Sequence, residues 1–212
     1  ECIPAGLTTP FVILGETARG KTNALKVILE QITGRGKVYL LDSKDMELYH
    51  YRSGDEIHYI GVDGIDAFLM ELGGLVTARN QQLQQKMKEH PEQLPRRLVQ
   101  ELDACYVVVD EWDDFVEATK LKAVLLAPIL SGALSSGIRF ILTANSGKLK
   151  GFDEITKFAK ATTDGLLVGN PGSTGIFGTV AAKELPQLSD GLLFHNGAYV
   201  RIRIPKCEDR EE

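Results

Sequence analysis

Short apolar runs alternate with amphipathic stretches along most of this chain, and that alternation sets the expected fold. Phe11-Val12-Ile13-Leu14 is an unbroken apolar run that stops at Gly15, the pattern of a buried parallel strand. Beyond it Ala24, Leu25, Ile28, Leu29 and Ile32 recur at steps of three and four, marking one face of a helix over 21–32. Gly34 and Gly36 are placed to end that helix. Val38 to Leu41 reads as a second strand closed by Asp42, and Ile57 to Ile60 as a short third. A long helical pattern over 65–88 runs through Phe68, Leu69, Leu72, Leu75 and Val76. Gly73 and Gly74 weaken its middle, each by up to ~1 kcal/mol relative to alanine. Its glutamine-rich part, Gln81 to Gln85, is expected to be a solvated arm, followed by a loop punctuated by Pro91 and Pro95.

The second half repeats the theme. Cys105 to Val109 reads as a central strand that delivers Asp110 and Glu111 at its carboxyl end. A helix is expected over 121–134, with Pro128 as a kink point, then strands at 139–143 and 166–168. Gly191 to Phe194, Asn196-Gly197 and Tyr199 to Ile204 read as a hairpin with an Asn-Gly turn. Arg201 and Arg203 alternate with Val200, Ile202 and Ile204, which predicts a half-buried edge hairpin with a solvated arginine face. Strands alternating with helices predict an α/β fold: a mainly parallel twisted sheet, helices on both faces, and a C-terminal β-hairpin. At 212 residues the whole chain, 1–212, fits one such domain, because halving it would leave two small cores.

Composition narrows the function classes. A net charge of -5 gives no global basic field of the kind that drives non-specific DNA binding. Cys2, Cys105 and Cys207 are odd in number and scattered, which points to a reducing compartment rather than a disulfide framework. His50, His58, His90 and His195 lie far apart and read as surface or strand-edge residues. No stretch approaches the ~20 uninterrupted apolar residues of a membrane span. The chain opens at Glu1 without a Met or a signal peptide, which reads as a fragment of something longer.

Gly15-Glu16-Thr17-Ala18-Arg19-Gly20-Lys21-Thr22 matches G-x-x-x-x-G-K-[ST] without a gap. Such a match arises by accident about once in a hundred or more chains of this length, and here it also lies between a strand and a helix. The glycines let backbone amides curl around phosphate oxygens, and the helix start adds its positive end. Lys21 is the residue to reach the terminal phosphates, and the Thr22 hydroxyl to ligate Mg²⁺. Tyr106 to Val109 leading into Asp110-Glu111 is the Walker B arrangement. Asp110 would hold the metal, and Glu111 would polarise an attacking water.

Leu40 to Leu48, containing Asp42-Ser43-Lys44-Asp45-Met46-Glu47-Leu48, resembles the Asp-x-Lys-x-x-Glu-Leu signature of FtsK/SpoIIIE-type motor ATPases. The spacing from P-loop to Walker B, the helix that follows and the strand from Arg139 to Asn145 are similar too, so the resemblance runs from about Pro4 to Pro205. Within that family the chain looks most like the last ATPase module of the type VII secretion coupling ATPases, EssC/EccC. The late segment from Gly191 to Pro205 and the acidic balance favour that branch over its DNA-translocating relatives, the alternative reading. The resemblance implies a RecA-like P-loop NTPase using ATP and Mg²⁺, in rings or in tandem with neighbouring ATPase modules. It also implies a cytoplasmic domain of a bacterial membrane-anchored protein, itself not touching the membrane. Its implied partners are small helical WXG-type secretion substrates.

Three departures from the family pattern bear on catalysis. Glu16 puts a carboxylate in a loop that usually carries small residues, a repulsive neighbour for triphosphate unless it points away or Arg19 offsets it. The sensor strand ends in Asn145-Ser146, where Asn145 can bridge water to the γ-phosphate but the translocases' arginine is absent. The position matching the trans-acting arginine finger falls at Thr162-Thr163-Asp164, and an acid there cannot stabilise transition-state charge. Together they predict ATP binding with weak or absent hydrolysis.

Overall fold

A computed structural model describes residues 9–43, 47–53, 55–172 and 174–207. In chain order the elements are β1 (Phe11–Gly15), α1 (Lys21–Ile32), β2 (Lys37–Asp42), β3 (Ile57–Ile60), α2 (Ile65–Glu89), α3 (Pro95–Gln100) and β4 (Cys105–Asp110). They continue with α4 (Trp112–Thr119), α5 (Ala123–Ser135), β5 (Ile138–Asn145), α6 (Glu154–Lys160), β6 (Asp164–Leu167), β7 (Asp190–His195) and β8 (Ala198–Arg203). The strands form one 8-stranded sheet in the order β3-β2-β4-β5-β1-β6-β7-β8. All neighbours from β3 to β6 pair in parallel, while β7 and β8 add antiparallel to one edge.

The apolar runs are continuous because the central strands are covered on both faces. Phe11, Ile13, Val38, Leu40, Val108 and Ile141 pack against α1. Their alternates Val12, Leu14, Leu41, Val107, Val109 and Leu142 pack against residues of α2, α4, α5 and α6. The strand order places the working edge. From β1 the chain crosses to β2, leaving β4 and β5 to fill between them, and later crosses to β6 on the far side of β1. A crevice outside the carboxyl ends of the strands opens where the order reverses in this way. Register aligns those ends: Gly15 sits opposite Asn145, and Asp42 opposite Asp110.

The differences from the pattern reading are local. Pro95 does not punctuate a loop but starts α3 at its first turn, where its missing N–H is harmless. The helix expected over 121–134 begins at Ala123 after a 3-10 turn over Lys120–Lys122, and it carries Pro128 inside it. Helices α4 and α6, 8 and 7 residues long, are too short to show a period. Asp153 caps α6 by accepting the Thr156 N–H at 2.8 Å. The hairpin closes as expected through Asn196 (φ 49) and Gly197 (φ 81), both left-handed, as an Asn-Gly turn requires. Its apolar face is only partly covered, because Val200 is exposed, Ile202 half-buried and Ile204 buried. By length and composition alone, the helical run Trp112–Ser135 would suffice to cross a membrane. Here Trp112, Phe115, Leu126, Leu130 and Ala133 in that run pack into the core.

One buried cation ties the helical layer together. Arg79, inside the polar half of α2, donates from Nε to the Ser136 carbonyl at 2.9 Å and from a terminal nitrogen to the Asp103 carbonyl at 3.0 Å. Ser136 is the C-cap of α5, so the guanidinium sits at the negative end of that helix. We therefore expect Arg79→Ala to destabilise the fold by about 3 kcal/mol, since two carbonyls lose a charged donor and a cavity opens. Urea unfolding should show a lower midpoint at unchanged slope. A loss under ~0.5 kcal/mol, the range of an ordinary surface substitution, would contradict this role.

Candidate phosphate-binding site

The turn leaving β1 is built for close approach. A Cβ on Gly15 would lie 2.8 Å from Val168 Cγ2 and 3.0 Å from the Val168 carbonyl, so only glycine lets the ends of β1 and β6 close. Ala18 (φ 60) and Gly20 (φ 88) then curl the loop through left-handed conformations, at some strain for the alanine. Gly20 is the N-cap of α1, which has neither a side-chain cap nor an acidic residue in its first turn. The first amides of α1 consequently lack an intrahelical acceptor and point into the loop, where an anion is favoured.

Lys21 is 5% exposed, and its ammonium donates to the Glu16 carbonyl at 3.2 Å. It also lies 3.7 Å from Glu111 Oε1. The Glu16 carboxylate turns to Arg19 at 3.3 Å, and both side chains are about half exposed. Both conditions for tolerating an acid in the loop are thus met. Gly169 crowds this pair: a Cβ there would stand 3.2 Å from Arg19 Cγ. On the other flank Asn145 Nδ2 donates to Thr17 Oγ1 at 2.9 Å, while the Asn145 amide donates to Asp113 at 3.0 Å. The Ser146 N–H reaches the Gly15 carbonyl at 3.1 Å, so the end of β5 is hooked to the start of the loop. Thr22, half-buried, follows on α1.

The acid pair is held by a residue that pattern reading did not single out. Thr143 on β5 donates from Oγ1 to Asp110 Oδ1 at 2.6 Å and accepts the Glu111 N–H at 2.8 Å. Asp110 is buried, and burial pushes its pKa up to about 6. The Thr143 bond opposes that shift, while the nearby carboxylates Glu111, Asp42 and Glu47 add to it. Glu111 takes a left-handed backbone (φ 56) at the junction of β4 and α4, which sends its side chain toward Lys21. Asp113 and Asp114 extend the acidic group, with carboxylate oxygens of all three acids after Asp110 within 4.8 Å of one another. Lys148 balances them at 3.4 Å from Asp113 and 3.8 Å from Asp114. The signal for the added acids was present in the Asp-Glu-Trp-Asp-Asp string, but Thr143 is recognisable only from the register of β5 and Lys148 only from the turn that follows it.

Other expected residues fall elsewhere. Asp164 starts β6 opposite Phe11, at the far end of β1 from Gly15, and pairs with His195 Nδ1. Thr162 Oγ1 is engaged with the Pro10 carbonyl. In the family signature, Asp42 is buried and accepts from Tyr59 at 3.2 Å, and Leu48 is core. Lys44, Asp45 and Met46 lie outside the described residues, as do Cys2 and Pro4.

The donor set fits a magnesium-bound nucleoside triphosphate. A buried ammonium has a loop carbonyl and a carboxylate for neighbours, uncapped amides surround it, and a hydroxyl and a buried carboxylate stand ready for a hard cation. The comparisons agree on the fold. No family model matches the chain. By sequence it is 23% identical over 209 residues to the ESX secretion system protein YukB of Bacillus subtilis (strain 168), covering 95% of this chain and 14% of that protein. Among solved structures, the cytoplasmic domain of EssC superposes with a TM-score of 0.78 at 24% identity, covering 93% of this chain and 40% of that one. Thermomonospora curvata EccC (ATPases 2 and 3) in complex with a signal sequence peptide superposes at 0.70 with 18% identity, covering 95% and 38%. The chain therefore has the P-loop ATPase fold, its sequence relatives are type VII secretion ATPases, and it spans a small part of their length.

Asp110 sets a pH dependence in the metal-free protein. Its folded pKa is raised from 3.8 to about 6, so the stability it contributes is complete below about 3.8 and lost as pH rises through about 6. Asn at this position keeps the acceptor for Thr143 but cannot titrate. In EDTA, we expect wild-type stability to fall relative to Asp110→Asn by on the order of 2–3 kcal/mol between pH 4 and 7. Parallel pH curves for the two proteins would refute the raised value.

Proposed function

We propose that this chain is a cytoplasmic ATP-binding module of a type VII protein secretion ATPase, working beside neighbouring ATPase modules and taking part in substrate recognition, with weak or absent intrinsic hydrolysis. The observation that carries the nucleotide reading is Lys21, 5% exposed on the phosphate loop with the Glu16 carbonyl and Glu111 in reach. In this reading the amides from Gly15 to Gly20 and the Lys21 ammonium hold the phosphates, with Glu16, Thr17, Ala18 and Arg19 forming the loop between them. Thr22 and Asp110 hold Mg²⁺, which when bound offsets phosphate charge. Phosphate takes the place of Glu111 beside Lys21, and the released carboxylate accepts a proton from water. Asn145, released from Thr17, orients that water toward the terminal phosphate.

Slow hydrolysis follows from what surrounds these groups. The end of β5 carries Asn145-Ser146 with no arginine beside them, and Thr162-Thr163-Asp164 offers none to a neighbour's site. An arginine finger contributes ~10³–10⁵ in rate where one is present. The net charge of -5 argues against the DNA-motor alternative.

Substrate recognition is supported by an apolar face that the fold leaves bare. Met70 on α2 is 82% exposed, and Leu121, Val124 and Leu125 before and on α5 are 95%, 87% and 72% exposed. Met70 and Leu125 line a cleft of about 560 Å³ between α2 and α5, floored by Leu126 and Ile129. Contiguous exposed apolar surface of this kind marks an interaction site, and a helical groove suits the apolar face of an amphipathic helix. The related EccC ATPases were captured with a signal sequence peptide. The fitting occupant here is the C-terminal helical segment of a small WXG-type substrate.

Calorimetric titration with Mg-ATP should give binding that Lys21→Ala removes. Turnover should stay below ~0.1 s⁻¹, under the 1–10³ s⁻¹ of typical enzymes. Motor-like turnover abolished by Lys21→Ala would sink the weak-hydrolysis reading, and no ATP binding would sink the nucleotide reading. Peptides carrying cognate export signals should bind, and Leu125→Glu should weaken them by about tenfold or more without changing ATP affinity. Failure of several cognate peptides to bind would remove the docking role.

A further inference from the structure

The chain after β8 is fastened to the phosphate-loop helix by one side chain. Ile204 is buried in the core under α1, beside Ala24, Leu25 and Ile28, and its N–H donates to the Ser189 carbonyl at 2.8 Å. Past it the segment leaves the sheet. Asn23, on the first turn of α1 directly after Thr22, then grips its backbone twice. Nδ2 donates to the Pro205 carbonyl at 2.9 Å, and Oδ1 accepts the Cys207 N–H at 2.8 Å. The side-chain amide thus pairs with the tail as a neighbouring strand would, leaving Pro205 and Lys206 exposed between the two bonds.

Sheet order says which part of a nucleotide this strip would meet. Glu111, Asn145 and Thr143 come from the ends of β4 and β5, on one side of β1. Those groups and Lys21 belong to the terminal-phosphate end in the reading above. The tail arrives from β8, on the opposite side of β1. A triphosphate lying along the loop with its terminal phosphate toward β4 and β5 therefore directs its nucleoside toward the tail.

We infer that residues 204–207 form the nucleoside-side wall of the nucleotide site, with Asn23 as the residue that positions it. Pro205 offers the base an apolar surface, and Lys206 a cation on the ribose and α-phosphate side. The inference rests on the nucleotide reading, and its test separates the two. Inorganic tripolyphosphate has the phosphates but no nucleoside, so it engages the cradle without the wall.

Binding of Mg-ATP and of magnesium tripolyphosphate is measured for wild type, Asn23→Ala and Lys206→Ala. Alanine suits the first turn of a helix, so the first variant should fold. Asn23→Ala is expected to weaken ATP about tenfold and leave tripolyphosphate within about twofold, with a smaller loss of the same kind for Lys206→Ala. A second readout uses the half-buried thiol of Cys207, followed by peptide mass mapping during iodoacetamide treatment. ATP should slow its alkylation and tripolyphosphate should not. Equal losses for both ligands, or unchanged ATP affinity with unprotected Cys207, would overturn the wall while leaving the cradle intact. Wild type that binds neither ligand would overturn the nucleotide reading and this inference with it.

Discussion

A lysine ammonium withdrawn from water needs partners, because an unpaired buried charge costs several kcal/mol. Lys21 finds one in the carbonyl of its own loop and another, longer, in Glu111. Those two contacts depend on nearly everything else around the site. The loop carbonyl is presented by left-handed turns at Ala18 and Gly20, and Glu111 by its own left-handed backbone at the start of α4. Thr143 fixes the acid that ends β4 and the one that follows it, and Asn145 pins Thr17. The loop is therefore self-satisfied before any ligand arrives. Phosphate must compete with Glu111 for the lysine, and gains the uncapped amides of α1 in return.

The same logic explains how so many acids share one edge of the sheet. Asp110 is spared part of its ionisation by burial, Lys148 lies between Asp113 and Asp114, and Glu16 is drawn outward by Arg19. A hard cation would relieve most of the remaining repulsion. The bare apolar groove on the helical layer lies away from this edge, lined by α2 and α5 residues that the cradle does not use.

Much of this was legible in the chain, for physical reasons. Strands buried on both faces must be apolar throughout, so β1, β2 and β4 announce themselves. A phosphate loop must carry its glycines and lysine in fixed order, and the hairpin must turn at residues that tolerate positive φ. What stayed hidden depends on partners distant in sequence. Thr143 reads as one polar residue in an apolar strand until register sets it against Asp110. Arg79 carries no mark of burial in the pattern of the long helix, yet it is buried because α5 and the turn before β4 present carbonyls to it. Asn23 and the tail it holds are 182 and 184 residues apart. Helices α4 and α6 escaped because two turns cannot display a period, and Pro95 because a helix start and a loop use proline equally well.

The central claim is that Lys21 exchanges protein partners for phosphate in this cradle. A crystal structure of the chain grown with Mg²⁺ and a non-hydrolysable ATP analogue tests it directly. The account predicts the triphosphate wrapped by residues 15–22, the Lys21 ammonium moved from the Glu16 carbonyl onto phosphate oxygens, and the cation between Thr22 and Asp110. An empty loop with the Lys21–Glu111 pair intact, or the analogue bound elsewhere, would contradict it.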